Sequence, residues 1–184
     1  MENNITTLIL EAKSGNTVAF HKLVSYHDER IMTLALQLTR DKQDAEDLYQ
    51  GVFMKAYKAI GSFRLESEFF TWLYRITVNS FYDLQRKASR IQKQESLAPE
   101  KDSTHDIADD SIPSAEKEEI QHAVTNALNQ LPTQQKTAFV MKHYEGLKIR
   151  EIATIMNLSD GTVKRYLFRA IEKLRPMLKE YRYA

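Results

Sequence analysis

IREIATIMNLSDGTVKRYLFRAIEKL, residues 149–174, is the stretch that decides the fold. Its apolar residues fall at helical spacing in two runs. Ile152, Ala153 and Met156 share one face of a first helix over Ile149–Met156. Val163, Leu167, Ile171 and Leu174 share one face of a second, which starts near Asp160-Gly161-Thr162. Asn157-Leu158-Ser159 separates them. Asn suits a turn and Ser an N-cap, because each can bond nearby backbone with its side chain. A short helix, a three-residue turn and a longer helix make a helix-turn-helix. The polar face of the second helix carries Thr162, Lys164, Arg165, Phe168 and Arg169. Basic side chains on the early turns of such a helix reach phosphates and base edges in a major groove. Arginine in particular can pair with guanine through two hydrogen bonds. An amphipathic hairpin with a solvated basic face fits this stretch too, so the flanking chain has to decide.

Charge is divided unevenly along the 184 residues. The total is +1, from 26 Lys+Arg and 25 Asp+Glu. Residues 1–94 sum to +2, residues 95–119 to −7, residues 120–132 to zero and residues 133–184 to +6. The acidic block also holds Pro99 and Pro113, with few large apolar residues. Such a segment buries too little to offset its ordering entropy. Loops of this length are also uncommon inside compact domains. The expectation is therefore two helical lobes, 1–94 and 115–184, joined by a flexible acidic linker over 95–114. The alternative is a long acidic surface loop within one domain.

Composition excludes several classes. With no Cys there is no disulfide framework and no thiolate metal site. No apolar run approaches the roughly 18 residues of a membrane span. Met1-Glu2-Asn3-Asn4 lacks a basic leader and an apolar stretch, so no signal peptide is predicted. A cytoplasmic protein without membrane insertion is expected. No Gly-rich phosphate loop and no paired metal-ligand motif appears, and the five His are scattered. The chain is accordingly read as no enzyme, with no cofactor, no metal and no small-molecule substrate.

The N-terminal half also reads as helix, and the fold class is all-α. Asn16 can cap a helix beginning at Thr17. Ile31, Leu34, Ala35 and Leu38 follow at helical spacing. Asp44 is expected to open the next helix, with Ala45, Leu48, Val52 and Ala56 inward and Gly61 at its C-terminal end. Ser67 or Glu68 should begin a longer helix through Leu84. In the second half a helix is expected from near Ser114 to the break at Leu131-Pro132, and Thr133 is expected to cap the next. No stretch alternates as a strand would.

Two clusters in this half ask for an explanation. Asp44, Glu46 and Asp47 suit the positive end of a helix dipole. Gln50 and Phe53 are not accounted for in that way. Phe63, Phe69, Phe70, Trp72 and Tyr74 are interleaved with Arg64 and Arg75, and Arg86, Lys87, Arg90 and Lys93 follow. Aromatic faces beside cations suit unstacked bases and their phosphates. Some of these rings serve as core, but they cover every face of the helix.

Together these segments resemble the extracytoplasmic-function (ECF) sigma factors of bacterial RNA polymerase. DAEDLYQGVFMKAY, residues 44–57, is similar to region 2.2 of the family. SFRLESEFFTWLYRITVNSFYDLQRK, residues 62–87, is similar to regions 2.3 and 2.4. LPTQQKTAFVMKHYEGLKIREIATIMNLSDGTVKRYLFRAIEKLR, residues 131–175, is similar to region 4. The three stand in family order and spacing.

The resemblance implies two helical domains, a sigma region 2 bundle and a sigma region 4 helix-turn-helix. It implies docking on core RNA polymerase, at the β′ clamp helices and the β flap. Glu46, Asp47, Gln50 and Phe53 would make the clamp contact. It implies promoter DNA as a partner, duplex and single-stranded. Phe63 and Arg64, in the loop Ser62–Glu66, would serve a flipped base of the −10 element. Trp72, Tyr74 and Arg75 would lie on or under the strand-separation surface. Asn79, Asp83, Arg86 and Lys87 would face the −10 region. Thr162, Lys164, Arg165, Phe168 and Arg169 would read the −35 element. An anti-sigma factor is an expected partner, and the acidic linker would imitate nucleic acid in a basic polymerase channel. Two positions depart from the family pattern. Gly51 replaces a usual acidic residue, and Leu65 stands where Gly is common. The competing class is a helix-turn-helix regulator acting on duplex DNA without replacing a sigma factor. That class leaves residues 1–94 unexplained.

Overall fold

The computed structural model describes residues 2–95 and 115–181. Among these residues every regular element is helical. Five helices form the first half: α1 (Glu2–Lys13), α2 (Thr17–Ser25), α3 (Asp28–Thr39), α4 (Lys42–Ala59) and α5 (Phe69–Glu95). A 3-10 turn at Ile60–Ser62 follows α4. Four helices form the second half: α6 (Ala115–Asn129), α7 (Thr133–His143), α8 (Ile149–Met156) and α9 (Asp160–Met177).

Local chemistry sets most of the boundaries. The Asn16 side chain accepts from the backbone N–H groups of Val18 and Ala19, fixing the start of α2 as expected. Helix α4 begins at Lys42, not at Asp44. The reason is Asp41, whose carboxylate accepts from the Asp44 N–H at 2.8 Å and so takes the N-cap itself. Of the acidic trio, only Asp44 then lies in the first turn. Helix α5 begins at Phe69, one residue beyond Glu68, the later of the two expected starts. The Glu68 carbonyl accepts from the Trp72 N–H and so holds the cap position. Pro132 precedes α7, and its carbonyl accepts from Gln135 and Lys136. Thr133 is therefore the first helical residue instead of the cap. Ser114, expected to open α6, lies outside the described residues, as do residues 96–113 of the acidic block. Helix α1 was not read from the sequence. It buries Leu8, Ile9 and Ala12 and packs on α2 and the 3-10 turn.

The core follows the apolar spacing. Leu23, Ile31, Leu34, Leu38, Val52, Leu73 and Val78 are buried from α2 to α5. Each such side chain contributes about 1.5–3 kcal/mol relative to exposure. In the second half Ala127, Leu128, Leu131, Ala170 and Leu174 join α6 to α9 as a small cluster of their own. The remaining buried residues of α7, α8 and α9 belong to one cluster with those of α1–α5. Helix α5 packs on α8 and α7, and α3 packs on α7. The two expected lobes thus touch directly.

Candidate nucleic-acid interface

Three surfaces carry the residues singled out above. The first is the outer face of α4. Asp47 and Gln50 are exposed there, while Glu46 and Phe53 are half-buried. Phe53 meets the Tyr49 ring edge-on at 4.9 Å. Tyr49 in turn donates to the Asp28 carboxylate on α3. Burial and this bond push the Tyr49 phenol up to about 12. Met54 and Tyr57 extend the same face and are exposed, Met54 at 61%. Sequence reasoning passed over both. Their spacing of four and seven residues from Gln50 was the signal available.

The second surface is built by the loop after α4 and by α5. Phe63 turns inward, 3% exposed, and packs on Phe69 and Trp72 with ring centroids 5.8 and 5.2 Å away. The Lys13 ammonium donates to the Phe63 carbonyl at 2.6 Å, tying the loop to α1. Arg64, Leu65 and Glu66 remain exposed. Leu65 holds a left-handed backbone, φ 58°. That conformation costs a non-Gly residue about 1–2 kcal/mol. The loop thus keeps a backbone that glycine adopts freely and adds a side chain to its exposed rim.

Along α5 the expected residues divide by face. Asn79, Asp83, Arg86 and Lys87 are exposed on successive turns, and Arg75 is exposed one turn earlier. Asp83 is gripped from two sides. Lys55 of α4 reaches it at 3.3 Å, and Arg86 forms an ion pair with it along the helix. The Arg86 hydrogen bond, aided by Lys55, lowers the Asp83 pKa. Such exposed pairs add little stability but orient side chains. Asn79, Asp83, Arg86 and Arg90 line an open groove of about 720 Å³, which Thr133 and Gln134 at the start of α7 close from the other side. Trp72 is half-buried, and Tyr74 is fully buried. The Tyr74 hydroxyl donates to Glu145 at 2.6 Å, and Arg75 donates to the Thr154 carbonyl at 3.2 Å. Both acceptors belong to the second half.

The third surface is α9. Ser159 caps it, accepting from the Thr162 N–H at 3.2 Å, and Asn157 takes the left-handed turn with φ 55°. In α8 the Glu151 carboxylate accepts from the Lys148 N–H at 2.6 Å. These bonds realise the helix-turn-helix as the sequence predicts. Lys164, Arg165, Phe168 and Arg169 are exposed together, Phe168 at 62%, while Thr162 is half-buried. Lys173, further along, is engaged with the Gln130 carbonyl. The face can offer cations to phosphates, a guanidinium to a base edge and an apolar ring to a thymine methyl.

Among the described residues no group of His, Cys, Asp or Glu could hold a metal ion. No described helix is long and apolar enough to cross a membrane.

Comparison with known proteins bears on all three surfaces. The Sigma-70 region 2 family profile matches residues 23–91, and the Sigma-70 region 4 profile matches residues 121–174. The RNA polymerase sigma-H factor of Pseudomonas aeruginosa is 34% identical over 183 residues, covering 94% of this chain and 95% of that protein. The ECF RNA polymerase sigma-E factor of Haemophilus influenzae is 34% identical, covering 93% and 95%. The ECF RNA polymerase sigma factor SigW of Bacillus subtilis is 30% identical, covering 98% and 100%. Among solved structures, the sigma factor RpoE in complex with the anti-sigma factor NepR, from Bartonella quintana, superposes with a TM-score of 0.72 at 26% identity. That match covers 87% of this chain and 96% of the other. CnrH in complex with the cytosolic domain of CnrY gives 0.69 at 25% identity, covering 96% and 98%.

Proposed function

The chain belongs to the ECF sigma factors of bacterial RNA polymerase, and on that premise we propose which of its surfaces does which part of the work. As a sigma factor it serves transcription initiation, binding RNA polymerase and promoter DNA. A helix-turn-helix regulator acting alone is not favoured, because the region 2 match covers residues 23–91.

The proposed division of labour is as follows. Residues 1–94 form the polymerase-binding and −10 domain, and residues 115–184 form the −35 domain, with the acidic segment between them. The outer face of α4 docks on the β′ clamp helices through Glu46, Asp47, Gln50 and Phe53, and Met54 and Tyr57 extend the contact. The β flap takes the second domain. Arg64 and the exposed rim of its loop meet a base extruded from the −10 element, while Phe63 supports the loop from beneath. Extrusion costs a few kcal/mol, which edge contacts and stacking return. Asn79, Asp83, Arg86 and Lys87 face the adjoining DNA. Lys164, Arg165, Phe168 and Arg169 enter the −35 major groove, with Thr162 beside them, its hydroxyl 2.9 Å from that of the Ser159 cap. An anti-sigma factor is a proposed partner, supported by the structural neighbour RpoE, a sigma factor in complex with the anti-sigma factor NepR. The acidic segment mimics nucleic acid in a basic channel of the polymerase. A cytoplasmic, non-enzymatic role fits a subunit whose chemistry is carried by the polymerase.

The observation that carries this reading is the exposure of two separate basic faces, on α5 and on α9, each on a well-capped or tethered helix. The experiment is a binding assay with core polymerase and a forked promoter fragment. Gln50→Ala with Phe53→Ala should weaken core binding at least tenfold while leaving isolated DNA contacts unchanged. Unaltered core binding would remove α4 from the docking surface.

A further inference from the structure

We propose that Lys13, the last residue of α1, is a positioning residue for −10 base recognition: its ammonium, bonded to the Phe63 carbonyl, sets the course of the loop that carries Arg64 and Leu65. The inference rests on the sigma-factor reading above. It adds a residue from a helix that the region 2 profile, which matches from residue 23, does not reach.

The loop depends on its ends. It runs from the 3-10 turn at Ile60–Ser62 to the start of α5 at Phe69. Among the described residues, Arg64, Leu65, Glu66 and Ser67 make no hydrogen bond and no ion pair. Arg64, Leu65 and Glu66 are exposed. The rim therefore takes its placement from what holds the residues on either side. At the far end the Glu68 carbonyl accepts from the Trp72 N–H. At the near end stands Phe63.

Phe63 is held at its amide, its ring and its carbonyl. The N–H donates to the Ile60 carbonyl at 3.0 Å. The ring is buried against Phe69 and Trp72. The carbonyl accepts from the Lys13 ammonium at 2.6 Å, across 50 residues of sequence. Only this last hold comes from outside the loop's own neighbourhood. It also acts on the part that matters most, because the Phe63 carbonyl shares a rigid peptide plane with the Arg64 nitrogen. Fixing that plane fixes the direction in which the chain leaves toward Arg64. A bond from an ammonium is charge-assisted and stronger than one between neutral groups. Leu65 follows at φ 58°, a conformation that persists in a non-Gly residue only where the surroundings determine it.

The other end of the hold is firm as well. Helix α1 buries Leu8, Ile9 and Ala12 and packs on α2 and on the 3-10 turn. Past Lys13 the corner is tight. The Ser14 N–H donates to the Leu10 and Glu11 carbonyls at 3.1 Å, and the Asn16 N–H to the Glu11 carbonyl at 3.0 Å. Gly15, at φ 95°, supplies the turn. Lys13 is half-buried and forms no ion pair among the described residues. Its charge is spent on the loop carbonyl. Hydrogen bonds to a base edge weaken steeply when distance or angle is off. A loop held in one course favours one base, and a loop free to tilt accepts several.

The experiment uses core polymerase with the full chain on forked promoter fragments that carry each base at each −10 position, at several salt concentrations. Lys13→Met keeps an apolar stem and removes the donor. Lys13→Arg supplies a donor again. Lys22→Met, on α2, removes a charge away from the loop. Arg64→Ala is the reference for the loop itself. Lys13→Met should narrow the preference for the best base over the next at least threefold at one −10 position, with core binding and salt dependence unchanged. Lys13→Arg and Lys22→Met should keep the original preference. An even loss across all bases with a weaker salt dependence would make Lys13 a phosphate contact and overturn the proposal. A preference altered by Arg64→Ala but not by Lys13→Met also overturns it, and leaves the sigma reading standing. A preference altered by neither removes the loop from base recognition, and the role of Lys13 with it.

Discussion

The Tyr74 hydroxyl lies 2.6 Å from the Glu145 carboxylate, although 71 residues separate the two in the chain. Burial, and then the bond to Glu145, raise the phenol's pKa well above its ordinary value. The bond is charge-assisted, and one partner is wholly removed from water. A double-mutant cycle with Tyr74→Phe and Glu145→Gln should therefore give a coupling energy of about 1–2 kcal/mol in denaturant unfolding. Additive effects would mean that the two groups do not together stabilise the packing of α5 against the second half.

Lys136 makes stability depend on pH. Burial, aided by the Arg40 charge, lowers its pKa to about 8 from 10.5. Below pH 8 both folded and unfolded chains hold the proton, and the cost of burying the cation is fully present. Between pH 8 and 10 the unfolded chain binds more protons, so stability rises with pH. Above pH 10 the raised Tyr49, Tyr74 and Tyr82 groups act in the opposite sense. Lys136→Met should raise the melting temperature at pH 7 and flatten the rise between pH 8 and 10. Its hydrogen bond to Asn129 is a small loss, because Asn129 is exposed and water can replace it.

Gly51 lies inside α4, and a Cβ built there meets nothing within 4 Å. Gly51→Ala should stabilise the chain by about 1 kcal/mol through helix propensity alone. A thermal melt checks this. Core binding by the same variant reports whether the missing side chain matters to docking.

Leu65 offers a different balance. Leu65→Gly removes the left-handed cost but adds chain entropy to the unfolded state, so its melting temperature should barely move. Base preference in the −10 element should broaden, as read by transcription from a set of single-base promoter variants. An unchanged preference would take the Leu65 side chain out of base recognition.

On α9 the exposed cations should separate by role. Arg165→Ala should cost about 1–3 kcal/mol in −35 binding and relax specificity at one position. Lys164→Ala should weaken binding evenly across sequences and reduce the salt dependence by about one counterion. Affinities measured at several salt concentrations distinguish the two.

The turn and cap of the helix-turn-helix were legible in the sequence, because Asn157 and Ser159 each act within a few residues. Asn16 was legible for the same reason. The buried face of α9 was not wholly so, since Ile171, expected inward, is 40% exposed and Ala170 is buried in its place. The start of α4 was misplaced because Asp41 and Asp44 are both plausible caps by type, and only the Asp41 bond to the Asp44 N–H decides between them. Helix α1 was missed because its burying residues, Leu8, Ile9 and Ala12, give too short a pattern to stand out alone. Within the candidate site, exposure on α9 followed from helical spacing. The burial of Phe63 and Tyr74 did not. Phe63 is covered by rings next to it in space and Tyr74 by a lobe more than 70 residues away, and no local pattern encodes either contact. The packing of α5 on α8 was hidden for the same reason, since the charge division along the chain speaks only for separate lobes.

The most direct test of the central claim is transcription reconstituted from core RNA polymerase, this protein and a genomic library of promoter fragments, with transcript starts mapped. A sigma factor predicts discrete starts that share two upstream elements, absent when the protein is omitted and weakened, with one −35 position relaxed, by Arg165→Ala. No starts, together with sequence-specific duplex binding by the protein alone, would contradict that account.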